Sequence, residues 1–219
     1  MFTRVVFVLI LFIVSGCITT GPASLDKSYS FDSDPEKGFL VFDSRRALAS
    51  EYGRSFYTYI QPVNIADRKF TGRTISVASC KICMNFDKSY YFGDPTSNNE
   101  LQAILIPAGH YAITGTLHHA HGFGKTYTCY NKGTRVFEVK AGTIGLYPSR
   151  FPQFQSDSDR LIKLKGYIAE YPEITGKVEI IKTAGKITFE GSEKFIGEDC
   201  AYSAGNWFVL HDDKGAIVF

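Results

Sequence analysis

Histidine is the first residue type whose spacing could bind a metal, because three of the five histidines lie in the segment LHHAHG at 117–122. Alternate side chains of a strand share a face, so His119 and His121 would lie on one side, about 6.5 Å apart along the chain. Chelation would need a third ligand from another segment, and the sequence shows no His-x-x-x-His motif. We expect a polar strand end, with His119 and His121 as weak candidates for adventitious metal binding and no cofactor.

A second possible chemistry lies in the motif Cys80-Lys81-Ile82-Cys83. A redox-active Cys-x-x-Cys pair normally begins a helix, whose N-terminus lowers the thiol pKa. The segment that follows, MNFDKSYYFG, has no apolar helical face. A four-cysteine zinc site has suitable ligands but needs reduced thiols. Redox catalysis and zinc binding therefore stay as minor alternatives.

Other catalytic patterns are missing from the sequence. There is no Gly-x-Ser-x-Gly motif of a serine hydrolase and no glycine-rich loop that opens a helix around phosphate. We predict no catalytic residue and expect a protein that is not an enzyme. With 24 basic and 22 acidic side chains and no run of Lys or Arg, the chain also lacks the electrostatic signature of nucleic-acid binding.

The N-terminus carries an export signal. Arg4 precedes an apolar run at 5–14, which is too short for a transmembrane helix but suits the apolar region of a signal peptide. The next residues resemble the lipobox of bacterial lipoproteins, Val14-Ser15-Gly16-Cys17. The resemblance implies a signal peptide at 1–16, a diacylglycerol on the Cys17 sulfur, cleavage before Cys17, and acylation, for example by palmitate, of its new amino group.

The same resemblance implies a location. An Asp after the lipidated cysteine retains enterobacterial lipoproteins in the inner membrane, and here that residue is Ile18. The expected location is therefore the cell envelope, at the outer membrane, on its periplasmic face or at the cell surface. Residues 17–36 are rich in Thr, Gly, Ser, Asp and Pro and are predicted to form a flexible tether.

Lipidation of Cys17 would also account for the odd number of cysteines. The four others are Cys80, Cys83, Cys129 and Cys200. The periplasm is oxidising, so these four are disulfide candidates with three possible connectivities. Because a bridge that spans more chain constrains the unfolded state more, we favour pairing of Cys80 and Cys83 with distant partners.

Strand-like patterns dominate the rest of the chain. Aromatic residues make up 15% of it, and short alternating segments are bounded by Gly, Pro, Asn or Asp. This spacing predicts an all-β sandwich or barrel rather than βαβ units. The predicted strands lie at 38–43, 55–63, 73–79, 89–94, 101–107, 110–120, 134–142, 143–150, 160–171, 177–184, 186–192 and 206–219. A polar connection is expected at 153–160.

Two turns carry a family resemblance. Both read as hairpin turns: Pro107-Ala108-Gly109, with Tyr111 after it, and Ala141-Gly142 between FEV and IGLY. With Phe137, Val139, Leu146 and Tyr147 they resemble uncharacterised bacterial lipoproteins that have a transthyretin-like domain, akin to carboxypeptidase regulatory domains. The resemblance covers about residues 38–150. It implies an antiparallel sandwich, transthyretin-like or immunoglobulin-like, at 37–152, with extra C-terminal strands at 153–219 packed on it or forming a small appendage.

These features favour a lipid-anchored envelope lipoprotein that acts as a non-enzymatic binding or scaffolding module. Its expected partners are the membrane, through the lipid, and an envelope protein or glycan. Two alternatives stay open. One is a small metal- or thiol-dependent periplasmic enzyme. The other is a surface-exposed lipoprotein that interacts with host or competitor molecules.

Overall fold

The structure is a computed structural model that describes residues 23–24, 30–43, 55–79, 89–92, 101–120, 124–148, 156–171, 174–190, 200 and 207–212. The described strands are β1 (Ala23–Ser24), β2 (Lys37–Asp43), β3 (Ser55–Asn64), β4 (Lys69–Phe70), β5 (Ile75–Ser79), β6 (Ser89–Phe92), β7 (Leu101–Pro107), β8 (Gly109–Ala120), β9 (Gly124–Cys129), β10 (Thr134–Val139), β11 (Thr143–Leu146), β12 (Lys177–Ile180), β13 (Thr183–Phe189) and β14 (Phe208–His211). A 3-10 turn lies at Phe31–Ser33, and helix α1 spans Asp157–Ile168. The predicted all-β class is confirmed.

The larger sheet is antiparallel and curls into a small barrel. Its strand order is β14-β13-β10-β8-β3-β4, with β5 also paired to β3 and β9 to β8. The two ends of this order meet, because Lys69 forms an antiparallel bridge with Trp207 and the Phe208 amide donates to the Arg68 carbonyl over 3.1 Å. The interior is filled by buried side chains: Val63, Phe70, Ala112, Cys129, Val136, Ile187, Phe189, Cys200, Phe208 and Leu210.

The smaller sheet is mixed and covers one side of the barrel wall. Its order is β1-β6-β7-β2-β11-β12, in which β11 runs parallel to both β2 and β12, and β1 runs parallel to β6. A second core lies between the sheet and the barrel, around Leu40, Ile104, Tyr111, Ile113 and Phe137. A third core lies between the sheet and α1, where Leu164 and Ile168 pack with Phe39, Val41 and Ile144. The protein is therefore layered as helix, sheet and barrel.

Helix α1 corrects the predictions of a polar connection at 153–160 and a strand at 160–171. Ser156 caps the helix: its hydroxyl accepts from the Asp159 amide over 3.1 Å and donates to the Asp159 carboxylate over 2.6 Å. The segment LIKLK mimics strand alternation, but the buried residues are Arg160, Leu164 and Ile168, one helical turn apart. Ile162 is 69% exposed, whereas Arg160 is 1% exposed.

The buried guanidinium of Arg160 explains why hydropathy misled the prediction. Its Nη1 donates to the Tyr147 carbonyl over 3.0 Å and to the Asp157 carboxylate over 2.8 Å. Arg160 thus ties the start of α1 to the end of β11. Because α1 connects the parallel neighbours β11 and β12, the fold contains one βαβ unit, which the sequence analysis did not expect.

The two turns predicted as hairpins instead connect the two layers. Strand β7 belongs to the mixed sheet and β8 to the barrel, and β10 and β11 are divided in the same way. Both turns dock on the start of β2: the Ala108 amide donates to the Glu36 carbonyl over 2.8 Å and the Gly142 amide to the Lys37 carbonyl over 2.9 Å. Gly142 has φ +65°, a conformation that favours glycine, so the predicted turn is present at this position. The strands on either side of it, β10 and β11, belong to different sheets and do not pair as a hairpin.

Other sequence predictions meet a mixed outcome. A strand overlaps each of the ranges predicted at 38–43, 55–63, 73–79, 89–94, 101–107, 110–120, 134–142 and 143–150. In the range predicted at 206–219 the described strand is β14, and residues 206 and 213–219 lie outside the described residues. The segment predicted as one strand at 177–184 is divided between β12, in the mixed sheet, and the start of β13, in the barrel, which continues through most of 186–192. Within the predicted tether, β1 pairs with β6 and Phe31 is buried beside Phe39, so packed structure precedes residue 37.

Two buried threonines of the barrel wall allow a matched stability test. The hydroxyl of Thr134 donates to the Ile113 carbonyl over 2.8 Å, whereas the Thr114 hydroxyl has no hydrogen-bond partner among the described residues. We expect Thr134→Val to lower the free energy of unfolding by about 1 kcal/mol. We expect Thr114→Val to leave it unchanged or to raise it by up to about 1 kcal/mol, because no hydrogen bond is lost. Urea denaturation measures both, and an equal loss in the two variants would contradict the expectation.

Tyr111 at the first of these turns predicts a dependence of stability on alkaline pH. Its hydroxyl donates to the Pro107 carbonyl over 2.7 Å, and burial raises the pKa of Tyr111 to about 12. An unfolded tyrosine ionises near pH 10. The contribution of Tyr111 to stability is thus fully present below about pH 10 and is lost as the pH rises towards 12. We expect the stability difference between the wild type and Tyr111→Phe to shrink over that range. A constant difference would contradict this role.

Candidate functional site

Most of the sequence-predicted site residues lie outside the described residues. These are Cys17, Cys80, Cys83 and His121. The backbone of His119 is in β8, where it pairs with Ser55 of β3 and Lys125 of β9, and its side chain is not described. No group of three or more His, Cys, Asp or Glu side chains that could hold a metal occurs in the part of the chain described here. The predictions for these residues remain predictions.

The described cysteines form a disulfide inside the barrel. Cys129 at the end of β9 is bonded to Cys200, 71 residues later, with the Cα atoms 5.7 Å apart. The Cys200 amide donates to the Tyr127 hydroxyl over 3.0 Å. Because Cys129 and Cys200 are bonded to each other, neither can be the distant partner of Cys80 or Cys83, and the favoured pairing is wrong. The pairing arises because β9 lies along β8 in the barrel wall, while Cys200 precedes the strand that closes the same barrel.

This disulfide limits what the thiols can do chemically. A four-cysteine zinc site would require the thiolates of Cys129 and Cys200, and both sulfurs are occupied by their mutual bond. Both cysteines are also buried in the barrel core. Their role is to join the end of β9 to the segment before β14, a structural role.

The surface with the most distinctive chemistry is the outer wall of the barrel around β13 and β14. Phe208 and Leu210 point into the barrel, so the alternate residues Trp207, Val209 and His211 point outwards. The same alternation puts Lys186 of β13 and Arg135 of β10 outside, next to buried Ile187 and Val136. Lys69 of β4 completes this surface. We call it the basic–aromatic face, made of Lys69, Arg135, Lys186, Trp207, Val209 and His211.

The strand register places the basic groups side by side. Lys186 is directly opposite Arg135 on one neighbouring strand and opposite His211 on the other. The stem of Lys186 lies over Gly133, where even a Cβ atom would overlap it. The His211 Nε2 is 2.9 Å from the Thr188 hydroxyl, which fixes the imidazole beside the row. Arg135 and Lys186 carry like charges directly opposite each other, which is unfavourable on a sheet without an anion between them. This arrangement is therefore typical of a site that binds an anion.

The basic groups of the row are not neutralised by carboxylates within the described residues. Elsewhere, Lys177 and Lys140 contact Glu179 at 2.6 and 3.5 Å, and the hydrogen bond from Lys177 is the main cause of the lowered pKa of Glu179. No ion pair among the described residues involves Lys69, Arg135 or Lys186. The nearest acidic residues along these strands are Glu138 within β10, Asp67 before β4, Glu190 after β13 and Asp212 after β14. The side chains of the face itself include three positive charges and no carboxylate.

The aromatic part of the face is the only tryptophan of the chain. Trp207 is 58% exposed and Val209 is 41% exposed, and the Lys69 Nζ lies 4.3 Å from the centroid of the indole ring. Behind them, inside the barrel, the Phe70 ring packs edge-on against the rings of Phe189 and Phe208. Its centroid lies 5.1 Å from the centroid of Phe189 and 5.5 Å from that of Phe208. A well-packed wall thus supports an exposed aromatic ring and a cation held together by a cation–π contact.

No local sequence pattern predicts this face. Its charged members, Lys69, Arg135 and Lys186, come from three strands that are far apart in the sequence, and none of them lies in a basic run. The one available signal is the alternation Trp-x-Val-x-His at 207–211, which places Trp207 and Val209 on the same side of a strand.

Comparisons with known proteins add no assignment. No protein-family model, curated protein or solved structure matches the chain. The resemblance to lipoproteins with a transthyretin-like domain therefore stays a prediction. Of the helices in the described residues, none has the length and apolar character required to cross a bilayer.

The disulfide predicts a large loss of stability on its removal. Cys129 and Cys200 are 71 residues apart, and a bridge that closes a loop of this length contributes about 4 kcal/mol by restricting the unfolded chain. We expect Cys129→Ala/Cys200→Ala to lower the free energy of unfolding by about that amount in guanidinium denaturation. Peptide mapping of the oxidised protein should recover a linked Cys129–Cys200 peptide. A peptide that links either residue to Cys80 or Cys83 would contradict the assignment.

Proposed function

We propose that the chain is a lipid-anchored lipoprotein of the bacterial cell envelope and that its barrel and sheet form a non-enzymatic binding module. The observation that carries this proposal is the sequence Val14-Ser15-Gly16-Cys17 directly after an apolar run that begins behind Arg4. The small residues suit cleavage by a signal peptidase, and the cysteine sulfur can take a thioether-linked lipid. The location proposed from Ile18 is the outer membrane, on its periplasmic face or at the cell surface.

The chemistry of the folded part supports a binding role. The barrel interior is occupied by packed apolar side chains and by the Cys129–Cys200 disulfide, both typical of a structural core. The groups presented outwards on the basic–aromatic face, ammonium, guanidinium and indole, bind ligands through charge and ring contacts. A disulfide-closed barrel also suits an oxidising compartment, which agrees with export.

The anchor is tested by replacing the sulfur that would carry the lipid. We expect Cys17→Ser to abolish incorporation of labelled palmitate and to remove the diacylglyceryl mass from the N-terminal peptide, because an oxygen cannot form the thioether. Membrane attachment through the lipid should be lost with it, since stable anchoring needs more than one acyl chain.

The matched control is Cys80→Ser, the same substitution at a cysteine outside the lipobox. This variant should keep both the label and the acylated N-terminal peptide. An unchanged acyl mass in Cys17→Ser, or a wild-type N-terminus that carries no lipid, would overturn the proposal.

A further inference from the structure

We propose that the basic–aromatic face binds the anionic headgroups of the bilayer that carries the lipid anchor. This inference rests on the proposed function, because it takes the bilayer next to the anchor as its ligand. It adds a second membrane contact, made by the folded domain, and assigns roles to individual residues. Arg135, Lys186 and Lys69 contact the phosphates, and Trp207 and Val209 enter the interfacial region.

The charges of the face fit an anionic surface in their spacing. Neighbouring strands are about 4.8 Å apart, so the charges of Arg135 and Lys186 lie side by side on β10 and β13, with the His211 imidazole next to them on β14. They project from the outer wall of a barrel, a surface that reaches several headgroups at once. Arg135 and Lys186 have no carboxylate partner among the described residues, so their charges remain available to phosphate. Charge complementarity therefore favours an anionic ligand.

The apolar members of the face distinguish a membrane from a soluble polyanion. Trp207 and Val209 project outwards beside His211, with 58% of Trp207 and 41% of Val209 exposed. Tryptophan is enriched where membranes meet water, because its ring is apolar and its N–H is polar. A soluble anionic glycan would neutralise the lysines and Arg135 but would not bury the Val209 side chain. We therefore infer an anionic bilayer surface as the ligand.

The position of the first strand is consistent with this contact. Five residues separate Cys17 from Ala23, where β1 begins, and the six Cα-to-Cα steps between them extend over at most about 20 Å. A lipid on Cys17 would thus keep β1 close to the bilayer. Because the fold stays near the surface, each single contact can be weak and still be occupied.

The experiment uses the chain from residue 17 with Cys17→Ser, which contains every described element and carries no lipid. Trp207 is the only tryptophan, so its fluorescence reports directly on the face. With vesicles of phosphatidylglycerol and phosphatidylcholine we expect a blue shift of the emission and co-sedimentation. Both should weaken as salt is raised. Vesicles of phosphatidylcholine alone should bind at least tenfold more weakly.

Matched variants test the residues. Each basic side chain near an anionic surface contributes about fivefold to binding, so Arg135→Gln/Lys186→Gln should bind about 25-fold more weakly. The control Lys163→Gln/Lys165→Gln removes the same charge from α1 and should bind like the parent. Trp207→Ala should weaken co-sedimentation, whereas Ile162→Ala, an exposed apolar residue of α1, should not. Thermal melts of each variant confirm that it is folded.

Three results would overturn the inference. They are equal binding to zwitterionic and anionic vesicles, equal loss in the two double variants, and a Trp207 blue shift with heparin but not with anionic vesicles. Because this chain has no acyl group, these results do not depend on the anchor. A wild-type N-terminus without lipid, or an unchanged acyl mass in Cys17→Ser, would contradict the proposed function alone.

Discussion

The arrangement of the layers depends on the backbone contacts at the start of β2. The carbonyls of Glu36 and Lys37 accept hydrogen bonds from the two turns that cross between the mixed sheet and the barrel. The next residue, Gly38, is packed so closely under the Lys140 carbonyl that a Cβ atom would not fit. Both crossings are therefore fixed to one short backbone segment. The turn before β8 and the turn after β10 are both bonded to the start of β2. The position of β2 in the sheet therefore determines where these two barrel strands lie over it.

The barrel holds its outer surface rigidly because it is closed twice. Strand β14 meets β4 through the bridge between Lys69 and Trp207, and the disulfide joins the end of β9 to the segment before β14. The same Lys69–Trp207 pair that closes the ring of strands also forms the cation–π contact on its outside. Closure of the fold and construction of the basic–aromatic face thus rest on one pair of residues.

The sequence predicted most strands because burial on one side produces alternation that can be read locally. It failed where local chemistry is shared by different structures. A Pro-Ala-Gly turn looks the same whether β8 pairs with β7 or crosses to another sheet, and LIKLK alternates although it is helical. The capping pattern of Ser156 and Asp159 was the signal for α1 that outweighed alternation. The disulfide and the basic–aromatic face depend on strand order, which no local pattern contains.

The two sheets differ in how they can be extended by another chain. In the described part of the chain, β4 and β14 close the main strand order of the barrel, β5 and β9 are each paired on one side only, and the mixed sheet ends at β1 and at β12. Strand β12 carries Lys177 and Glu179, whose ion pair places charge along that margin. Charged side chains at a margin oppose uncontrolled lateral polymerisation. Lateral stacking of copies through β12 is therefore disfavoured by its charge, and the seam between β4 and β14 is closed to it by their mutual bridge.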